Sequence, residues 1–164
     1  MKLGCRRERP TLLESQATSR GEGIPVRAYL VDGRHITLSI DAWTTALDLA
    51  DALGSDLGGV SRGDGLRVFE VSDEALQERC LDDDERVLDV LAYWDRIQLQ
   101  DKKKRRRSAH FKLMYKVRYF YTDTLSSPTA EELHYQQARQ DILDERYPCS
   151  LPEACTLAAL ALQE

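Results

Sequence analysis

The run Phe111-Lys112-Leu113-Met114-Tyr115-Lys116-Val117-Arg118-Tyr119-Phe120-Tyr121 decides how this chain is read. Its odd positions are Phe, Leu, Tyr, Val, Tyr and Tyr, while Lys112, Lys116 and Arg118 fall on even ones. Successive side chains of a strand point to opposite faces, so this period of two predicts a half-buried strand over residues 111–121. A polar, acidic linker follows, and residues 129–145 read as a helix rich in Glu, Gln and Arg. Tyr135, Ala138 and Ile142 recur at steps of three and four, and Leu143 widens that face. Arg146-Tyr147-Pro148-Cys149 breaks the helix. Ser150-Leu151-Pro152-Glu153 then opens a second one with capping-box spacing, in which the Ser oxygen and the Glu carboxylate satisfy end amides reciprocally.

Upstream, two alternating runs flank Asp32-Gly33: Pro-Val-Arg-Ala-Tyr-Leu-Val over 25–31 and Arg-His-Ile-Thr-Leu-Ser-Ile over 34–40. That pattern predicts a hairpin with a type I′ turn, which needs positive φ at both central residues. Val26, Ala28 and Leu30 would share one buried face with Ile36, Leu38 and Ile40. A helix follows at 46–53, with Thr45 and Asp48 at capping-box spacing and Gly54 as its left-handed stop. Residues 66–71 read as a third strand. Val87, Leu88, Val90, Leu91 and Trp94 supply the apolar side of a helix that begins after Asp82-Asp83-Asp84-Glu85, where its dipole favours negative charge. Near the start, Pro10 is expected in the first turn of a short helix that needs a neighbour to dock on.

These residues carry a resemblance. Val117-Arg118-Tyr119-Phe120-Tyr121, then Gln136-Gln137-Ala138-Arg139-Gln140-Asp141-Ile142-Leu143, then Tyr147-Pro148-Cys149-Ser150 are similar to the FERM module, in order and spread over about a third of the chain. Trp43-Thr44-Thr45-Ala46 and the run around Pro10-Thr11-Leu12-Leu13-Glu14 resemble the versions in unconventional myosin tails, class fifteen or seven, where a tail-homology domain precedes the FERM module. The resemblance implies an α+β chain: a ubiquitin-like β-grasp lobe at 24–121, then the first helices of an all-α, acyl-CoA-binding-protein-like lobe at 122–164. Residues 1–23 would be the linker from, or the end of, the preceding tail-homology domain. The last helix carries a wide apolar face (Leu151, Ala154, Leu157, Ala158, Ala161 and Leu162) with no glycine stop, so a fragment or truncated product is expected.

Composition agrees with a globular protein: 42% of residues are hydrophobic and 31% charged, with no apolar run near the roughly 20 residues of a membrane span. The start, Met1-Lys2-Leu3-Gly4-Cys5-Arg6-Arg7, has charge but no apolar core of a signal peptide, so an intracellular chain is expected. Cys5, Cys80, Cys149 and Cys155 show neither zinc-type pairs nor disulfide density and read as reduced thiols. His35, His110 and His134 have no partner at metal-ligand spacing, and no Gly-x-Ser-x-Gly elbow occurs. Gly63-Asp64-Gly65 lacks the Lys-Ser/Thr of a phosphate loop, and the acidic run lacks the alternation and glycine of a calcium loop. No catalytic residue, metal ligand or cofactor is assigned.

Net charge is −5, yet six cations stand together at Lys102-Lys103-Lys104-Arg105-Arg106-Arg107. The first reading of this run is a solvated loop whose charges repel. The second is contact with anionic lipid or an acidic partner, and Lys112, Lys116 and Arg118 would enlarge that surface if the strand's polar face is open. A nuclear or nucleic-acid role ranks last, because the remainder of the chain is acidic.

By resemblance, the chain is a non-catalytic adaptor linking the actin cytoskeleton to cargo or to the cytoplasmic tails of membrane proteins. It would be cytoplasmic and cytoskeleton-associated, at the plasma membrane where a phosphoinositide surface is bound. Actin and ATP would be met only through other parts of a parent myosin. The alternatives are a non-motor FERM linker between membrane and cytoskeleton, and a ubiquitin-like regulator with a basic loop that contacts nucleic acid.

Overall fold

The computed structural model describes residues 7–72, 77–103, 110–120 and 124–162. Its centre is a mixed five-stranded sheet: β1 (Ile24–Tyr29), β2 (His35–Ile40), β3 (Leu66–Ser72), β4 (Gln77–Cys80) and β5 (Phe111–Val117), in the order β2-β1-β5-β3-β4. β1 runs parallel to β5 and every other neighbouring pair is antiparallel. Among the described residues five α-helices accompany it: α1 (Leu12–Arg20), α2 (Ala46–Asp56), α3 (Val87–Lys103), α4 (Pro128–Leu143) and α5 (Leu151–Ala161). The chain is α+β, with early hairpin and late strand joined in one sheet.

The hairpin forms in the expected register, Val26 opposite Leu38 and Ala28 opposite Ile36, which buries Val26, Ala28 and Leu30. Its turn differs. Among the described residues Glu145 is the one non-glycine at positive φ, so of the Asp-Gly pair only Gly33 (φ 86°) is left-handed. Leu30 N–H donates to Arg34 C=O, and Gly33 N–H donates to Leu30 C=O. These bonds close a three-residue connection with a left-handed glycine at its end. The Asp32 carboxylate accepts from the Arg34 amide (2.9 Å) and guanidinium (2.6 Å), which fixes the turn from outside.

Thr45 and Asp48 make the expected capping box at α2, with bonds of 3.1 and 3.0 Å. Gly54, however, does not stop the helix, which continues to Asp56 and turns at Gly58 and Gly59 (φ 87° and 98°). The reason for glycine at 54 is close approach: its carbonyl accepts from Gly59 and Val60, and a Cβ there would stand 2.3 Å from Val60 O. Segment 82–86 precedes α3 and lies on the start of α2. Glu85 C=O accepts from Ala46 N–H (2.8 Å) and Asp83 C=O from Leu47 N–H (3.2 Å), satisfying amides that have no partner inside the helix.

Leu30, Leu49, Leu53, Leu66, Val68, Leu81, Val87 and Leu113 form the centre of the core, each under 2% exposed or close to it. Burying each contributes about 1.5–3 kcal/mol. Pro10 stands outside α1, whose N-cap is Thr11 and whose end is closed by left-handed Gly21.

Two elements depart from expectation. The strand from Phe111 ends at Val117, the partner of Leu66. Beyond it, left-handed Gly65 turns the neighbouring chain away and its carbonyl takes the Arg118 amide at 2.9 Å. Tyr119 and Phe120 are exposed, and Tyr121 lies outside the described residues. α4 covers 128–143, capped by Ser127, and seats a different face from the one its apolar spacing suggests. Ala130, Leu133, His134, Gln137 and Asp141 are buried, whereas Tyr135 and Leu143 are exposed.

Candidate functional site

Polar contacts hold the helical segment on the sheet. Gln137 brackets the last residue of β5: Val117 N–H donates to Gln137 Oε1 (2.6 Å), and Gln137 Nε2 donates to Val117 C=O (2.9 Å). The side-chain amide completes the strand end as a neighbouring strand would. One turn earlier, His134 Nε2 lies 2.7 Å from Asp64 C=O; a carbonyl can only accept, so this nitrogen carries the proton. The Phe120 ring meets the His134 ring edge-on at 5.5 Å. Asp64 accepts from the Ser61 amide (2.6 Å), the Ser126 amide (2.7 Å) and the Ser126 hydroxyl. Burial pushes its carboxyl up, but these bonds from Ser126 and Ser61 outweigh it and hold the acid below the usual range.

A second junction is ionic. Glu78 on β4 accepts from Lys116 Nζ (2.7 Å) and from the two terminal guanidinium nitrogens of Arg146 (2.9 and 2.7 Å). Arg146, then Lys116, outweigh burial and bring the Glu78 carboxyl down to about 2. The same carboxylate raises the Arg146 guanidinium.

This arrangement corrects part of the expected basic surface. Lys116 is buried, 7% exposed, with its charge met by Glu78, because the strand's even face is covered at that end. Arg118 is exposed and lies 5.0 Å over the Tyr119 ring. Lys112 is half-buried on β5, and Lys102 and Lys103 are exposed in the last turn of α3. Lys104, Arg105, Arg106 and Arg107 lie outside the described residues.

One cation was not singled out by sequence. Arg27 is exposed on β1, and the register that sets Ala28 opposite Leu113 sets Arg27 beside Lys112. Alternation between Val26 and Ala28 gave its face, but the neighbour required the parallel β1–β5 pairing.

Of the histidines, His35 is tilted against Tyr29 at 5.7 Å, His134 is engaged as above, and His110 is exposed. Burial raises the Cys80 thiol. Among the described residues no three His, Cys, Asp or Glu stand together as a metal site, and no helix is long and apolar enough to cross a membrane.

Two families match this chain: "RA like domain" over residues 22–119 and "FERM central domain" over 122–164. Among curated proteins, unconventional myosin-VIIb of Mus musculus is 26% identical over 149 residues, covering 88% of this chain and 7% of that protein. Tyrosine-protein phosphatase non-receptor type 13 of Mus musculus is 27% identical over 142 residues, covering 84% and 6%. Among solved structures, the myosin VII MyTH4-FERM MF1 domain of Dictyostelium discoideum superposes with a TM-score of 0.77 at 22% identity, covering 90% of this chain and 30% of that one. The human myosin 7b C-terminal MyTH4-FERM domain, solved with the harmonin-a PDZ3 domain, gives 0.66 at 18%, covering 92% and 31%. The chain thus spans less than a tenth of these curated relatives and under a third of these structures.

Proposed function

The chain belongs to the RA-like domain family over residues 22–119 and runs on into a FERM central segment, and from that membership we propose a non-catalytic adaptor function. In this reading residues 1–23 are a linker or the end of a preceding tail-homology domain, 24–121 the ubiquitin-like lobe and 122–164 the opening of the helical lobe of an unconventional myosin tail. Its work is to connect actin-based machinery to cargo adaptors or to the cytoplasmic tails of membrane proteins, in the cytoplasm and at the cytoskeleton.

The observation that carries the reading is the junction. Gln137 and Arg146 tie α4 and the following turn to β5 and β4, and His134 and Ser126 tie α4 and the residues just before it to Asp64, ahead of β3, all through directed polar bonds. Two lobes held in one orientation form a fixed platform for a protein partner, and preorganisation of this kind lowers the cost of binding. The human myosin 7b domain in complex with the harmonin-a PDZ3 domain supports a protein domain as the kind of partner. Exposed Lys102, Lys103 and Arg118 and half-buried Lys112 are proposed to face an anionic phosphoinositide surface, together with Lys104, Arg105, Arg106 and Arg107.

A second reading, a non-motor FERM linker, is favoured by the phosphatase relative, which at 27% identity stands beside the myosin at 26%. The coding sequence on either side of this chain separates the two. A tail-homology domain and a motor upstream are expected, and flanks encoding a phosphatase or neither element would overturn the myosin assignment.

A further inference from the structure

The turn from β2 into α2 carries an exposed tryptophan that the core does not use. Trp43 is 58% exposed, yet it is held in place. Its backbone N–H donates to Asp41 Oδ1 at 2.8 Å, and the Arg86 guanidinium stands 4.4 Å from the ring centre. A large ring fixed in advance loses little freedom on binding, which is why tryptophan recurs among the residues that dominate interfaces. Trp43 lines a groove of about 420 Å³ between the end of α1, the start of β1 and the end of β2. Gly21 leaves the groove open, since a Cβ there would meet nothing within 4 Å, and half-buried Ile24 and Ala42 add apolar surface. Its charged lining residues are Glu22 and Asp41, with no lysine or arginine among the described residues that line it. Bonds to the Asp41 carboxylate from the described residues all end on Oδ1, from the Trp43 amide and from the Thr44 amide and hydroxyl. Oδ2 is left for a ligand. Glu22 meets only Arg20, at 3.9 Å with both side chains largely exposed, which is a weak pairing.

We propose that this groove docks a basic protein segment, one arginine or lysine of which lies against the Trp43 ring with its charge at Asp41 and Glu22. An indole face attracts a cation through its quadrupole, and a carboxylate beside it accepts that cation's N–H groups. Charge complementarity selects the occupant. Asp82, Asp83 and Asp84 are exposed on the segment that presents Arg86, so they add to the negative field of Glu22 and Asp41. Anionic lipid and nucleic acid are repelled by the same charges. The Trp43 amide first, then the Thr44 hydroxyl, hold the Asp41 carboxyl below its usual range, so it stays charged at neutral pH. The groove shares no residue with the Gln137, His134 and Glu78 contacts, so it stands whether or not the chain comes from a myosin tail.

The test titrates the whole chain with a fluorescein-labelled Arg-Gly repeat peptide and with a Glu-Gly peptide of the same length. The Arg-Gly peptide is expected to bind and the Glu-Gly peptide not to. Trp43→Ala and Asp41→Asn are each expected to weaken binding about fivefold or more, while Trp43→Tyr, which keeps a ring, retains most of it. Asparagine at 41 keeps an oxygen for the turn. Asp95→Asn, exposed on α3, is expected to leave binding unchanged. Circular dichroism melting checks that each variant is folded, and Trp43→Gln repeats the ring deletion if the alanine variant is not. Equal weakening by Asp95→Asn and Asp41→Asn would reduce the contact to general attraction by an acidic chain and overturn the site. Failure of the Arg-Gly peptide to bind, or equally tight binding of the Glu-Gly peptide, would overturn it as well. Sedimentation of the chain alone covers the remaining occupant: a dimer abolished by Trp43→Ala would place a second copy in the groove and overturn a separate basic partner.

Discussion

Gln137 does with one side chain what a sixth strand would do, supplying both a donor and an acceptor to Val117. Gln137→Leu keeps the volume and removes both bonds, leaving a buried amide and carbonyl unsatisfied at about 1–3 kcal/mol each. Urea denaturation should therefore show a loss of at least about 1 kcal/mol; an unchanged midpoint would mean that α4 is held by other contacts. Glu78 supplies a pH signature at the same scale. Its folded carboxyl lies at about 2 against an ordinary 4.5, so the stability it contributes is complete above the ordinary value. That contribution is lost progressively as pH falls toward the folded value. Glu78→Gln should destabilise the chain at neutral pH, where it leaves buried Lys116 uncompensated, and the difference from the parent should close on acidification. Parallel melting curves from pH 7 to pH 2 check this, and a gap that stays constant with pH would contradict it.

The element scale shows why some of this fold was legible and some was not. α2 has both kinds of feature. Its start was readable, because a capping box needs only residues three apart. Its end was misread, because Gly54 is set by the approach of the Val60 carbonyl and not by helix termination. The consequence is testable. Alanine is favoured over glycine inside a helix by about 1 kcal/mol, yet Gly54→Ala should lower the melting temperature, since its Cβ would meet backbone; a rise would contradict the packing argument. The hairpin register was equally legible, as six alternating pairs encode it locally. β4 was missed: Gln-Glu-Arg-Cys offers no apolar alternation, and the strand exists by pairing with β3. α4 was assigned the wrong face for a related reason. Spacing of Tyr135, Ala138 and Ile142 marks an apolar stripe, but His134 and Gln137 bond to carbonyls and amides far away in sequence. The same distance hid Arg27, whose neighbour Lys112 is fixed by a parallel crossover.

At the scale of the whole molecule, the described residues divide into a well-buried grasp lobe and a helical extension that becomes progressively less covered. α4 buries a polar-rimmed face, whereas α5 buries no side chain, and Leu151, Leu157, Leu160 and Leu162 are all exposed. Contiguous exposed apolar surface of this kind marks an interaction site, and in the proposed reading it is the face on which further helices of the second lobe pack. Tyr147, Pro148 and Ile142 border the same open groove with Leu157. The sheet lobe and α4 form one cooperative body, and α5, with no side chain buried, stands outside it. Amide hydrogen exchange on the chain as it stands tests this most directly. Amides of β1, β3, β5 and α4 should share one high level of protection, while those of α5 exchange close to the unprotected rate. Protection of α5 equal to that of the sheet would mean that α5 folds as part of the same body.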